Sequence, residues 1–365
     1  MAKTRIALEI TEESVRAVEV STGRTPAVVA AAEVPLPPGA ARDSEVLDPD
    51  AVAVAVKQLW SRGGFRARRV VLAIASRRIL VREHVAPAMK PEHLRQALPF
   101  QVQDLLPVPV AQAVLDFYPT LEHDGKIHGL LVAAVAETVE TLIRTLAKAR
   151  LKVDVVDLAP FGLARAAQKL APTDCVAMVH LGDHTSCVVI VDAGVPRFVR
   201  IIPATLPTAV VRGRTDAARA GAGDPSVPAP VRELALAGGM SGAADGAPSL
   251  DTPSVPTLRA RASARAGSLD PVVTEMVARV KDTITFYDER PGAIRPVSGV
   301  FVSGAGFAAS GMDAALGEAV RVPMLAVTAG ELLPGPGAPS EGDLPLDLVP
   351  ALGVLLREVP AWSRA

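Results

Sequence analysis

The chain has 365 residues, 49% of them hydrophobic but 3% aromatic, and a formal net charge of −1 at pH 7. That length allows two domains or one large bilobed unit with aliphatic cores, and the charge balance excludes a global field pulling it onto nucleic acid or an anionic bilayer. Cys175 and Cys187 make neither a metal spacing nor a disulfide framework, which suits a reducing compartment. The first apolar run breaks at Glu9, and no run of about 18 uncharged apolar residues occurs, so neither a signal peptide nor a membrane span is expected. The expectation is a cytoplasmic protein that reaches a membrane through a partner.

In chain order, residues 4–36 alternate as three strands with Gly23 in the second turn. Residues 51–60 form a helix started by Asp48-Pro49, and residues 68–76 and 78–85 are further strands. Pro91 opens a helix in which Leu94, Leu98, Val102, Leu105 and Leu106 share a stripe. Pro99 removes a ladder bond there and predicts a kink or a restart. A strand over 126–135 precedes a helix with Val139, Leu142, Ile143 and Leu146 on one face. Strand 153–158 and a short helix lead into a second β-rich block: CVAMVHL, TSCVVIVD and PRFVRII.

Residues 212–268 are rich in Ala, Gly, Pro, Ser and Arg without sustained periodicity, the composition of a flexible insertion. Order resumes with PVVTEMVARVKDTITFYDE, then SGVFVSG, MDAALGEAV and a terminal helix near VPALGVLLRE.

The first β-block lies on the second without a gap at an offset of 171 residues. Leu8 meets Val179, Ile10 meets Leu181, Val18 meets Val189 and Gly23 meets Gly194. The turn at Thr11–Ser14 meets the turn at Gly182–Thr185. A third glycine-bearing turn, VSGAGF (302–307), also follows a strand and precedes a helix. Two strand–turn–strand units suggest a duplicated α/β fold, and three small-residue turns at strand ends suit a cradle of backbone N–H groups around phosphate. Equally, all three are tight turns of the kind glycine punctuates in any fold.

This arrangement is similar to the actin-like ATPase superfold, with two phosphate loops and an adenosine loop. Residues 71–166 sharpen the likeness: VLAIASRRILVREHVAPAM, LRQALPFQVQDLLPVPVAQAVLDFY and LLVAAVAETVETLIRTLAKARLKVDVVDLAPFGLARA. They resemble the type IV pilus assembly protein PilM family, itself akin to the division protein FtsA. The resemblance fails across 212–268. It implies a ribonuclease H-like duplicated, bilobed fold. The first lobe covers 1–82, with 158–172 and 345–365 returning to it; 83–157 forms an inserted α+β subdomain and 173–344 the second lobe.

The resemblance also places a nucleotide site, ATP or ADP with magnesium, at Thr11, Ser14 and Arg16, at Gly182, Asp183 and Thr185, and at Gly304 and Gly306. Glu275 and Arg279 sit on the helix flanking the adenosine. The loops are degenerate. Where the family's first loop resembles DIGSSSIKAVEL, this chain has Glu9 for the acid, Thr11 for the glycine, and two more carboxylates, Glu12 and Glu13. The second loop resembles VDIGAGTT but carries His180 for its acid. Phosphoryl transfer depends on positioned charge, and carboxylates facing phosphate repel it. The site is therefore expected to bind nucleotide weakly or not at all, and catalytic residues are expected to be absent.

His180, His184 and Cys187 raise a metal question, but they have no second cluster to complete a zinc set, so no metal is expected. By resemblance, the inserted subdomain forms a groove with the first β-block that takes the cytoplasmic N-terminal peptide of a bitopic, PilN-like inner-membrane protein. Phe100, Gln101 and Gln103 are the candidate contacts. The Leu94 stripe is expected to be subdomain core instead. Other pilus assembly proteins and a second copy are further implied partners. The rival readings are an active ATPase on the same superfold and an FtsA-like filament protein. The second expects an amphipathic C-terminal helix, which Pro360–Ala365 serves poorly.

Overall fold

The computed structural model describes residues 3–221, 269–290, 293–338 and 347–356. It opens with strands β1 (Thr4–Ile10), β2 (Ser14–Ser21) and β3 (Val28–Pro35), followed by a tiny hairpin, β4 (Ala41–Arg42) and β5 (Glu45–Val46). Helix α1 (Pro49–Gly63) starts where the sequence predicts. The Asp48 side chain accepts from the N–H groups of Asp50 and Ala51 at 3.0 Å each, and Gly64 closes the helix in the left-handed conformation. Strand β6 (Arg69–Ile74) and β7 (Leu80–Pro87) precede helix α2 (Pro91–Val102), β8 (Ala113–His123), β9 (Lys126–Val135), helix α3 (Ala136–Lys148), β10 (Lys152–Leu158) and helix α4 (Ala159–Leu170). The second half runs β11 (Cys175–Leu181), β12 (Thr185–Asp192), β13 (Val195–Pro203), α5 (Ala209–Gly221), α6 (Pro271–Glu289), β14 (Gly299–Ser303), α7 (Met312–Val320), β15 (Met324–Ala326), α8 (Ala329–Leu332) and α9 (Val349–Gly353).

The strands build two five-stranded mixed sheets, ordered β10-β6-β1-β2-β3 and β13-β12-β11-β14-β15. In each, an antiparallel meander of three strands is extended by two parallel ones. Their leading hairpins also share a register: Leu8 faces Ala17 in the first and Val179 faces Val188 in the second, the 171-residue offset holding on both strands. The aliphatic matches of the repeat are therefore the same positions of the same motif.

Helix α4 lies between the sheets. It is buried along most of its length and joins the first sheet, α1, α9 and one face of the second sheet in a single core. The other face of the second sheet packs on α6 and α7 around Val280, Ile284, Tyr287 and Leu316. A small sheet, β7-β9-β8, carries Leu130 and Val132 toward the main core and Leu131 to the opposite face. On that opposite face, Leu98 and Val102 of α2 pack with Leu131 into a separate small core.

Three features differ from the sequence reading. Helix α2 passes through Pro99 without restarting and ends at Val102, three residues on, so the missing ladder bond falls near a terminus where few bonds remain to be lost. Because the chain then tightens into a 3-10 turn over Gln103–Leu105, Leu105 leaves the stripe and is exposed. Third, α5 carries regular structure to Gly221, into the stretch expected to be irregular; 222–268 lie outside the described residues, as does Trp362 with the rest of 357–365. Among the described residues, no helix is long and apolar enough to cross a membrane.

Candidate functional site

The fold brings the three turns together. The β1–β2 turn at Thr11–Glu13 and the β11–β12 turn at Gly182–His184 face each other across a cleft, and Asp347, just before α9, ties in the turn after β14. The Ala305 N–H donates to Asp347 Oδ1 at 2.7 Å. Thr11, Arg16, Gly182, Asp183 and Thr185 line this cleft with Glu9, Asp43, His180 and Cys187.

What fills the cleft is the protein's own charge. Arg16 projects from β2 and is 3% exposed. Its Nε donates to Glu33 Oε1 at 2.7 Å, and its Nη2 lies 3.2 Å from Asp183 Oδ2 and 3.1 Å from Asp347 Oδ2. Glu33 stands directly opposite Arg16 in the β2–β3 register, where opposite charges attract across a strand pair. Ser14 Oγ donates to the same Glu33 oxygen at 2.5 Å, and Thr208 Oγ1 donates to Asp183 Oδ1 at 2.6 Å. The predicted positions Ser14, Arg16 and Asp183 thus converge, but on one another.

A second set of bridges crosses beside it. His184 Nε2 lies 2.7 Å from Glu13 Oε1, and Arg214 Nε of α5 lies 2.6 Å from Glu13 Oε2, an ion pair whose N–H does not aim at the oxygen. Arg214 also donates to the carbonyl of Leu36. Glu13 is therefore not displayed to solvent or phosphate; it is buried between His184 and the Arg214 guanidinium. Thr185 Oγ1 donates to Asp43 Oδ1 at 3.3 Å. Asp43 also receives Ser76 Oγ and the Arg77 N–H at 3.2 Å each.

Burial sets the protonation states. Desolvation pushes the Glu9 carboxyl up to about 7 despite the opposing pull of Arg16, and Asp347 rises to about 7 for the same reason. Glu9 Oε2 has no hydrogen-bond partner in the protein. His180 occupies the position 171 residues on from Glu9; burial and the nearby Arg16 push its imidazole down to about 3, so it is neutral and shares a 3.0 Å hydrogen bond with Ser303 Oγ. Near pH 7 these two positions together therefore carry less negative charge than a pair of ionised carboxylates would. Burial likewise pushes the Cys187 thiol to about 12. Among the described residues, no group of three or more His, Cys, Asp or Glu side chains is placed to hold a metal ion.

The remaining cleft volume is about 40 Å³, room for about three water molecules and far below the ~300 Å³ at which small-molecule sites begin. The glycines of the third turn also serve the protein itself. Gly304 has φ +96°, and a Cβ there would meet Leu181 O at 2.2 Å; one on Gly306 would meet Leu206 Cδ1 at 2.3 Å. Glu275 and Arg279 do not line the cleft. They pair with each other at 2.5 Å on α6, and Arg279 reaches Pro203 O at 3.4 Å.

A second concavity lies where the first sheet meets the small sheet. Its walls are Ser44 and Glu45 of the β4–β5 hairpin, Ile74, Arg78 and Ile79 around the β6–β7 link, and Val135, Val139 and Leu142 at the start of α3. It is mostly aliphatic and nearly shut, with about 10 Å³ free. Phe100, Gln101 and Gln103 do not line it. They stand exposed on and just after α2, Phe100 at 79%, while the helix's buried side lies against the small-sheet face that carries Leu131. Sequence reasoning missed Asp43, Arg214 and Asp347. Asp347 carried a signal, a lone acid inside the apolar run LPLDLVPAL, since such an acid is normally paired when buried.

A family model described as type IV pilus assembly protein PilM matches residues 7–201. Among solved structures, the chain is similar to one in a PilM–PilN type IV pilus biogenesis complex, at 21% identity and a TM-score of 0.71 over 96% of each chain. It is also similar to the ethanolamine utilization protein EutJ from Carboxydothermus hydrogenoformans, at 13% identity and a TM-score of 0.51 over 98% of this chain and 90% of that one. These likenesses speak to the fold, and the mixed α/β sheets described above are consistent with an actin-like one. The family model spans more than half of the sequence, including the first charged turn, the small sheet and the β11–β12 hairpin, and the chain belongs to the type IV pilus assembly protein PilM family.

Proposed function

We propose that this chain is a non-hydrolysing actin-like scaffold of the type IV pilus assembly machinery. It would act at the cytoplasmic face of the membrane by binding the N-terminal peptide of a PilN-like inner-membrane protein. In this reading the two sheets are the cores of a duplicated, ribonuclease H-like pair of lobes. Residues 1–82, joined by 158–172 and 345–365, make the first lobe, 173–344 the second, and 83–157 the inserted subdomain.

The observation that carries the reading is the self-filled cleft. Arg16 and its carboxylate partners occupy the space between the turns, so the shell of the fold is kept while the place for ATP or ADP and magnesium is used for internal pairing. Bringing phosphate there adds negative charge beside the Glu33 carboxylate, which Arg16 holds ionised, and in competition with Asp183 for the same guanidinium. Nucleotide binding is weak or absent on this account. The peptide is assigned to the junction groove, whose aliphatic walls and neighbouring strand ends suit an extended, partly apolar segment. Support for that partner comes from family membership and from the similar chain solved in a PilM–PilN complex. The exposed Phe100 face is proposed as a separate contact, for another assembly protein or a second copy.

Two measurements test the reading together. Isothermal titration with a synthetic peptide carrying the N-terminal sequence of the same organism's PilN-like protein should give a saturable one-to-one complex. Phosphate release from ATP with magnesium should stay at the no-enzyme rate. Robust turnover would establish the active-ATPase alternative instead.

A further inference from the structure

The C-terminal ends of α1 and α3 meet at a third concavity, whose lining includes Lys57, Trp60, Ser61, Phe65, Arg68 and Arg150. Its volume is about 660 Å³, inside the roughly 300–1,000 Å³ range of ligand-sized sites. The floor is fixed. Trp60 and Phe65 are buried with ring centroids 5.3 Å apart, and Trp60 Nε1 donates to Ala67 O at 2.9 Å, which pins the loop carrying Arg66 and Arg68.

Every charged side chain in the lining is a cation. Lys57, Arg68 and Arg150 are exposed, and among the described residues none of the three has a carboxylate partner. Their neighbours Arg69 and Lys148 are paired instead, with Asp154 at 2.7 Å and Asp50 at 2.9 Å. Arg66 in the pinned loop is a further exposed cation, as is Lys152, whose N–H donates to Arg68 O at 2.8 Å.

Arg150 also stands where the backbone does not favour it. Both helices end in the same way. In α1 the Phe65 N–H donates to Trp60 O at 3.1 Å across Gly64 at φ 65°; in α3 the Leu151 N–H donates to Leu146 O at 3.0 Å across Arg150 at φ 61°. Glycine is the usual residue at this left-handed position, because a side chain there costs about 1 kcal/mol. The negative end of the α3 dipole already has Lys148 in its last turn, so a second cation at Arg150 is not needed to close the helix.

We propose that this concavity is a docking site for an acidic segment of another protein. A short segment suits it better than a bilayer or a duplex. The whole chain carries −1, so the surface outside these five unpaired cations is net negative and repels an extended anionic surface. A short segment within a Debye length, about 10 Å at 0.1 M salt, meets the cations alone. The site is independent of the peptide groove, since the groove takes Ile74 at the end of β6 and the concavity takes Arg68 just before its start.

The test is fluorescence anisotropy of a short fluorescein-labelled oligoglutamate titrated with the full chain. Binding should saturate at low salt and disappear toward 1 M, where the Debye length is about 3 Å. Arg68→Glu replaces attraction by repulsion and should weaken it about tenfold. Arg150→Gly should weaken it about threefold, the scale of one exposed charge pair, while the melting temperature holds or rises, because glycine relieves the left-handed residue. No binding, or equal affinity in both variants, overturns the site. A melting temperature that falls for Arg150→Gly with affinity unchanged assigns Arg150 to the helix end and overturns its part in docking. Tighter binding to phosphatidylglycerol vesicles or to duplex DNA than to oligoglutamate overturns the choice of a protein segment.

Discussion

The cleft between the turns and the groove beside the small sheet are both nearly closed, but by opposite means. The cleft is closed by charge, with one buried guanidinium bridging Glu33 on the neighbouring strand and Asp183 and Asp347 from distant parts of the chain. The groove is closed by aliphatic contact, with a short hairpin for one wall. Charge networks fail steeply when one member is lost, since the remaining partners stay buried and unpaired. Apolar walls part and rejoin at modest cost. The first kind of closure suits a part of the molecule that keeps a fixed shape, the second a part that opens.

The comparison breaks most visibly at Arg16. Arg16→Met leaves Glu33, Asp183 and Asp347 without their cation, and urea denaturation should show a loss of about 3–5 kcal/mol. A loss under about 1 kcal/mol, the scale of an exposed pair, would mean that the network is solvated and the cleft open.

Glu9 sharpens the same side. Its folded pKa, about 7, lies above its ordinary value of 4.5, so between those values the folded chain keeps a proton that the unfolded chain has released. Its contribution to stability therefore falls as pH rises through this window and is flat beyond it. Glu9→Gln removes that dependence. Melting curves should show the variant gaining on the wild type from pH 5 to pH 8 by up to about 3 kcal/mol. His180, whose pKa is pushed to about 3, acts in the opposite sense, with stability lost as pH falls from its ordinary range toward that value, and it cancels in the difference between the two proteins. A difference that does not change with pH would show that Glu9 titrates normally.

On the groove side, Val139→Asp puts a carboxylate into an aliphatic wall and should weaken the PilN-like peptide by about tenfold or more. Unchanged affinity would move the peptide elsewhere. The smallest effect is expected at Phe100. Because Phe100 is exposed and away from the groove, Phe100→Ala should leave melting unchanged and peptide affinity within about twofold, the scatter expected of a surface substitution. A larger loss of affinity would return α2 to the peptide site.

Much of the scaffold was legible from local pattern. Alternation and turn residues located the hairpins, and the 171-residue repeat recurred as matching registers because a strand pair slipped by one residue would turn its apolar face to water. In the stripe read as core, Leu94, Leu98 and Val102 are buried, whereas Leu105 is exposed. The cleft was legible in part. Glu13 was visible as an acid in a phosphate loop, but its partners His184 and Arg214 lie 171 and 201 residues away, and Arg214 sits where composition suggested no structure. Local rules carry no information about such pairs. Which face of the small sheet α2 covers was not legible, because periodicity says which side of α2 is buried but not what it lies against.

Cys187 gives the cleft a native reporter. Its sulfur lies in the cleft wall and is held protonated by burial, so alkylating and disulfide reagents must wait until solvent reaches it. The rate of modification by a small thiol probe is then a clock for how often the halves part, and Cys175, buried in the second core beside Tyr287, times the unfolding of that core in the same reaction.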